Sequence, residues 1–282
     1  MQIQDNIKEI VKQALMEDVG DGDHSSLSCI SGNIIGRMKL LAKENGILAG
    51  VEVAKEVIRQ VDETITMEVF IHDGEAIKVG DVVFELFGPA RSMLTAERTL
   101  LNFMQRLSGV ATASRRYADA VAGTTTTILD TRKTTPGMRF LEKYAVKMGG
   151  CENHRFGLFD MIMLKDNHID FAGGIENAIL ATHNYLKEKD LNLKIEVETR
   201  NIEEIKQVMK VGGIHRIMLD NFTPERIKEA LAVIERRYET EASGGITMQN
   251  LREYALTGVD YISIGALTHQ IKSLDLCLKF IK

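Results

Sequence analysis

Residues 194–221 read KIEVETRNIEEIKQVMKVGGIHRIMLDN, and this stretch decides the fold class. Lys194 to Val197 is a short strand-like run that stops at Glu198. Asn201 to Val211 has helical spacing, and Arg216 to Leu219 is a second strand-like run that stops at Asp220-Asn221. A strand, a helix and a strand in this order imply parallel strands joined by a right-handed crossover.

The same unit repeats on both sides. Thr125 to Leu129, Met161 to Leu164, Tyr238 to Ala242 and Tyr261 to Ile264 read as strands, and Pro224 to Arg237 and Met248 to Thr257 as helices. A barrel and an open doubly wound sheet both fit this alternation. The strand ends favour the barrel. Asp130-Thr131-Arg132-Lys133, Lys165-Asp166, Glu198, Asp220-Asn221, Ser243-Gly244-Gly245 and Gly265-Ala266 follow the six strands in turn. In a barrel all carboxyl ends converge on one mouth, whereas in an open sheet only the switch-point strands do.

The first part of the chain is mixed α and β. Ile3 to Met16 has helical spacing, Gly20-Asp21-Gly22-Asp23 marks a turn, Gly36 to Ala42 reads as a strand and Val51 to Val61 as a helix. Thr64 to Ile71 and Val82 to Phe87 read as strands. Ser92 to Leu107 and Ala111 to Ala122 read as helical segments on either side of Gly109. The expected architecture is α/β: an amino-terminal α/β sandwich-like domain over residues 1–112, joined by the tail 269–282, and an incomplete parallel β/α barrel over 113–268.

With 282 residues the chain can bury a substantial core. A formal charge of −5 argues against general nucleic-acid binding, which needs a basic surface. No apolar run is long enough to cross a bilayer, and Met1 to Glu17 is amphipathic and acidic rather than a signal peptide. The expectation is therefore a soluble, cytoplasmic protein with no membrane partner. Cys29, Cys151 and Cys277 are far apart and odd in number, so neither a disulfide framework nor a zinc spacing is present.

Chemistry concentrates between Asp130 and His168. Arg132, Lys133, Arg155 and Lys165 give four fixed positive charges, and His154 adds a titratable one. Arginine forks bind carboxylates bidentately and lysine adds a point charge, so the cluster suits a ligand with several carboxylates or phosphates. Glu198 and Asp220 end consecutive strands. Two carboxylates beside anion-binding groups suggest Mg2+, or a counter-charge for a sugar ring that becomes positive. Glu196 shares a strand face with Glu198, which lies nearer the strand end. Ser243-Gly244-Gly245 and Ile264-Gly265-Ala266 join strands to helices, and their small residues let backbone N–H groups approach phosphate. Arg98 lies on a helix and carries no function by its position alone.

These motifs resemble quinolinate phosphoribosyltransferase. The resemblance is carried by Thr131-Arg-Lys-Thr-Thr-Pro-Gly137, Asn153-His-Arg155, Met163-Leu-Lys-Asp-Asn-His168, Ile195-Glu-Val-Glu198, Met218-Leu-Asp-Asn-Phe222 and Glu241-Ala-Ser-Gly-Gly-Ile246. Glu97-Arg-Thr-Leu-Leu-Asn102, Arg106-Leu-Ser-Gly-Val-Ala-Thr112 and Glu17-Asp18-Val-Gly20 extend it over nearly the whole chain. One departure is His24-Ser25-Ser26, where a Thr commonly stands; a hydroxyl is retained.

The resemblance implies transfer of phosphoribosyl from phosphoribosyl pyrophosphate to quinolinate with decarboxylation, using Mg2+, in NAD biosynthesis. It implies that Arg98, Thr131, Arg132, His154, Arg155 and Lys165 hold quinolinate. Lys133, Glu198 and Asp220 would be catalytic, with Glu198 and Asp220 at the metal. Ser243, Gly244, Gly245, Ile264, Gly265 and Ala266 would join those three on the phosphoribosyl pyrophosphate. It also implies a homodimer or larger homo-oligomer in which Arg98 enters the neighbouring active site. Two rivals stand beside it: a related barrel phosphoribosyltransferase for another pyridine-like substrate, and a non-catalytic anion-binding barrel. The second would not need Glu198 and Asp220, which repel an anion unless a metal or a cationic transition state is involved.

Overall fold

The computed structural model describes residues 3–281. In chain order the elements are α1 (Ile3–Val19), α2 (His24–Cys29), β1 (Ile35–Ala42), β2 (Gly46–Ile47), α3 (Val51–Val61), β3 (Thr66–Val69), β4 (Ala76–Ile77), β5 (Val82–Pro89) and α4 (Ala90–Ala120). There follow β6 (Thr127–Leu129), α5 (Arg139–Met148), β7 (Ile162–Leu164), α6 (Asp166–Phe171), α7 (Ile175–Glu188), β8 (Ile195–Thr199) and α8 (Ile202–Val211). The last are β9 (Arg216–Asp220), α9 (Pro224–Ile234), β10 (Glu239–Ser243), α10 (Leu251–Ala255), β11 (Tyr261–Ser263), α11 (Ala266–His269) and β12 (Leu276–Ile281).

The chain divides into two compact units. The first comprises Met1–Arg116, Thr134–Gly150 and Ala266–Lys282; the second comprises Tyr117–Lys133 and Cys151–Gly265. Thr134–Gly150 thus groups with the first unit, although it falls inside the 113–268 span read from the sequence. Polar ties account for this: the Arg106 guanidinium meets the buried Glu142 carboxylate at 2.7 Å, and Arg115 Nε donates to the Gly149 carbonyl.

In the first unit an antiparallel sheet runs β12-β1-β5-β3. The register sets Met38 opposite Leu86 and Leu40 opposite both Phe84 and Leu278, and this face is buried. The α2 helix starts at Asp23, whose carboxylate accepts the Ser26 N–H and hydroxyl, so the serine that replaces the usual Thr region serves the helix cap.

The α4 helix runs unbroken from Ala90 to Ala120, where the sequence suggested a break at Gly109. Gly109 is there for packing: a Cβ would sit 2.4 Å from the Lys272 carbonyl oxygen, which belongs to backbone and cannot rotate away.

The second unit is a six-stranded parallel sheet in the order β6-β11-β10-β9-β8-β7. Each strand from β7 to β10 pairs with its successor, and β11 pairs with β6, the first of the set. First-on-last pairing is the topology of a barrel, since an open doubly wound sheet reverses its order at a switch point. The ring is interrupted between β6 and β7, where Glu152 makes only a single parallel bridge to Leu129. This is the incomplete β/α barrel expected from the sequence. The expected helix Met248 to Thr257 is shorter, Leu251–Ala255, because residues 244–250 form bends and turns tied by Asn250 to Thr247 and Gly245.

The barrel strands have one apolar and one charged face. Ile195, Val197, Ile217, Leu219, Ala242 and Ile262 are buried on the first face. The register aligns Glu196 with Arg216 and Arg216 with Glu239 on the second, with Glu198, Met218 and Glu241 in the next row. Arg216 donates to Glu241 at 2.8 Å and to Glu239 at 3.0 Å, and lies 4.0 Å from the Tyr261 ring centroid. His154 Nε2 lies 3.0 Å from Glu196 and 3.3 Å from Glu241, all three side chains being buried. A buried charge must be paired, and here two cationic groups face two fully buried carboxylates. Burial alone would lower the His154 pKa, but Glu196 and Glu241 outweigh it and hold it up at about 9. Burial and the Glu241 charge push Glu196 upward, while His154 and Arg216 overcome burial and hold Glu241 down.

Two predictions follow from this packing. Gly109→Ala gains ~1 kcal/mol of helix propensity but forces backbone apart at a cost of ~1–3 kcal/mol. Chemical denaturation should therefore show a net loss of stability. His154 carries a raised pKa, so its contribution is full below its ordinary value of 6.5 and is lost as pH rises through about 9. The melting temperature should fall across that window, and should fall less in His154→Gln. Equal slopes in the two proteins would show that His154 does not carry the effect.

Candidate active site

The carboxyl ends of the barrel strands place the charged residues on one rim. Glu198 is the fourth residue of β8 and Asp220 the last of β9. Burial and then the charge of Asp220 raise the Glu198 pKa. Burial also raises Asp220, against the pull of Lys165 and Lys133. Lys165 Nζ stands 3.8 Å from Glu198. Lys165 itself precedes α6, its N–H donating to His168 Nδ1. Lys133, Lys165, Glu198 and Asp220 therefore act on one another electrostatically, as their strand-end positions suggested.

A second group lies after β6 and before β7. Burial lowers the Arg155 pKa, and the positive charge of Arg132 lowers it further. Two guanidiniums that repel each other in a half-buried setting favour an anion between them. Arg155 Nη1 is anchored on the Met161 carbonyl at 3.1 Å. The Thr131 hydroxyl accepts the Lys133 N–H at 3.0 Å, which shapes the turn after β6.

Ser243 ends β10 and Gly244 follows it. Gly244 has φ of +89°, and a Cβ there would lie 2.2 Å from the Asn221 side-chain oxygen, so glycine is required on both counts. Asn221 in turn donates from its side chain to Asp220 at 2.7 Å and from its backbone to the Ser243 carbonyl at 2.8 Å. Gly245 follows, also with positive φ. The Ile264 N–H is already bonded to the Leu129 carbonyl, so it serves the barrel rather than an open anion site. Gly265 ends the second unit, and Ala266 opens α11 in the first. Arg98 is exposed on α4, in the first unit.

His154 differs from the other members of the cluster. Its ring faces Glu196 and Glu241 inside the barrel. Sequence reasoning gave no role to Asn221, Asp130, Arg216 or Glu241. For Glu241 and Arg216 a signal existed: Glu241 follows Glu239 by two, and Arg216 precedes Asp220 by four in a strand whose alternate residues, Ile217 and Leu219, are apolar. For Asn221 there was none, since its role depends on a left-handed backbone (φ +57°).

A Mg2+ ion suits the Glu198 and Asp220 donor set. Both are hard oxygen ligands; burial raises both, and the Asp220 charge raises Glu198 further, so a bound positive charge would be favourable there. His154, Glu196 and Glu241 also lie close enough together to hold a cation, but two positive groups, Arg216 on Glu241 and His154 on both carboxylates, already stand against them.

Comparison with known proteins gives the family. The family described as "Quinolinate phosphoribosyl transferase, N-terminal domain" matches residues 23–108, and its C-terminal domain counterpart matches residues 110–279. The chain is 43% identical to the chloroplastic nicotinate-nucleotide pyrophosphorylase [carboxylating] of Arabidopsis thaliana, over 97% of this chain and 82% of that one. It is 41% identical to a probable nicotinate-nucleotide pyrophosphorylase [carboxylating] of Bacillus subtilis, over 96% of this chain and 92% of that one. Among solved structures, NadC from Streptococcus pyogenes superposes with a TM-score of 0.93 at 38% identity, covering 98% of this chain and 97% of the other. With two-domain matches spanning residues 23–279 and relatives above 40% identity, the chain belongs to the quinolinate phosphoribosyltransferase family.

Proposed function

We propose that the chain transfers the phosphoribosyl group of phosphoribosyl pyrophosphate to the ring nitrogen of quinolinate, giving nicotinate mononucleotide, pyrophosphate and carbon dioxide, a step in NAD biosynthesis. The observation that carries this reading is the segregation of charge on one rim: Arg132 beside Arg155, and Glu198 beside Asp220. A dicarboxylate suits the first pair, and a sugar that gains positive charge at its C1 carbon suits the second.

Arg132, Arg155, Lys165 and Thr131 would hold quinolinate. Lys133, Ser243, Gly244 and Gly245 would hold phosphate oxygens of the second substrate. Magnesium, held by Glu198 and Asp220, would neutralise negative charge on the pyrophosphate. As the bond from C1 to pyrophosphate breaks, its electron pair leaves with pyrophosphate, and the two carboxylates stabilise the cationic ribose. The rim holds the ring nitrogen in line for attack, which removes much of the entropic cost of a two-substrate step. The product ring carries a positive charge. It absorbs the electron pair left when the neighbouring carboxylate departs as carbon dioxide, and a proton then adds to that carbon. No protein nucleophile is required. We place this activity in the cytoplasm. Among the described residues no helix is long and apolar enough to cross a membrane.

Arg98 is exposed on α4 and makes no side-chain hydrogen bond or ion pair among the described residues. Its proposed role is to complete the quinolinate site of a neighbouring copy in a homodimer or larger oligomer.

The direct test is product formation by the purified chain with quinolinate, phosphoribosyl pyrophosphate and Mg2+. Lys133→Ala and Glu198→Ala should each lower kcat by about two orders of magnitude or more. Nicotinate should be a poor substitute for quinolinate. Efficient use of nicotinate would favour the related phosphoribosyltransferase, and no product with either ring would favour a binding protein. Co-expression tests the donated arginine. If Arg98 serves the partner's site, mixed dimers of Arg98→Ala and Lys133→Ala chains regain activity, because one of their two sites holds both defects and the other none. If Arg98 serves its own site, every site carries one defect and mixing restores nothing.

A further inference from the structure

The gap in the barrel leaves residues 152–155 without the ladder that fixes the strands. Glu152 bonds to Ile128 and Asp130 on the β6 side. Beyond it, side chains define the path. The buried Asp130 carboxylate accepts the His154 N–H at 2.8 Å. The His154 ring then makes contacts in two directions. Nδ1 lies 2.6 Å from the Arg155 backbone nitrogen, and Nε2 lies 3.0 Å from Glu196 and 3.3 Å from Glu241. A proton on Nε2 faces carboxylates in either charge state of the ring; in the neutral tautomer Nδ1 also accepts from Arg155. Glu241 is itself held by Arg216 at 2.8 Å. With the ring neutral, a continuous chain of polar contacts therefore runs from Arg216 through Glu241 and His154 to the backbone of Arg155; a second ring proton, on Nδ1, removes its last link.

We infer that His154 is a positioning residue, anchored on Glu196 and Glu241, that fixes Arg155 for the anionic substrate and does not itself contact that substrate. Three facts favour this over direct contact. The His154 side chain is only 4% exposed. Both ring nitrogens face protein groups. The segment that carries Arg155 has no strand ladder to hold it, so a side-chain anchor is the means available. Glu196, one row below Glu198 on the same strand, belongs to this anchor. The inference rests on the reading of Arg155 as a quinolinate ligand.

A double-mutant cycle separates the two roles. Quinolinate affinity is measured calorimetrically for the wild type, His154→Ala, Arg155→Ala and the double variant, with phosphoribosyl pyrophosphate affinity as a control for general damage. If His154→Ala fails to fold, His154→Gln takes its place in the cycle. His154→Ala should weaken quinolinate binding about tenfold and Arg155→Ala about a hundredfold, with the double variant within about twofold of Arg155→Ala alone. Phosphoribosyl pyrophosphate affinity should stay within about twofold of wild type in each single variant. Losses that multiply in the double variant would show His154 acting independently of Arg155 and would overturn the inference. So would wild-type affinity in His154→Ala, or an equal loss for both substrates. A wild type that does not bind quinolinate at all would overturn the functional reading, and this inference with it.

Discussion

Pairing of the last barrel strand with the first constrains everything else in the second unit. Once β11 lies against β6, all six parallel strands turn one face inward and finish at one rim. Inward residues of short strands meet across a narrow interior, so each charged side chain there must find its opposite. Arg216 against Glu241, and His154 against Glu196 and Glu241, meet that requirement with ion pairs inside the barrel. Replacing such a network with apolar residues often costs nothing in stability, whereas breaking one pair leaves an uncompensated buried charge. The network therefore makes better sense as a support for the rim above it than as a source of folding energy.

At the rim the requirement is left partly unmet. Glu198 and Asp220 are raised by burial and by neighbouring acidic charge, and Arg155 is lowered by burial and by Arg132. These groups are held in an arrangement that is unfavourable until opposite charge arrives. Preorganised charge of this kind stabilises a transition state without further reorganisation. The ion pairs of the interior are neutralised internally, whereas the rim charges await a ligand on the proposed reading, so the same fold would supply both rigidity and reactivity.

The strands and the rim were legible in the sequence because short apolar runs ending in Lys165, Glu198 or Asp220 give a strong local signal. The barrel topology followed from six such ends rather than from any one of them. The continuity of α4 was not legible: Gly109 looks like a helix break along the chain, and only the backbone of Lys272 lying against it explains the glycine. The turns before α10 were hidden for a related reason, since Asn250 bonds back to Thr247 and Gly245 and delays the helix. His154 was found by its company, Asn153-His-Arg155, but the direction of its ring depends on Glu196 and Glu241, which lie 42 and 87 residues further along the chain. A motif locates such a residue, and only the fold gives its orientation.

The central claim is that this rim couples transfer to the ring nitrogen with loss of one carboxylate. The most direct measurement uses quinolinate labelled in the carboxyl group next to the ring nitrogen, and counts labelled carbon dioxide against nucleotide formed with phosphoribosyl pyrophosphate and Mg2+. The account predicts equal amounts of the two, with no covalent adduct on the protein and no carbon dioxide when phosphoribosyl pyrophosphate is omitted. Nucleotide that keeps its label, or carbon dioxide released without the second substrate, would contradict it.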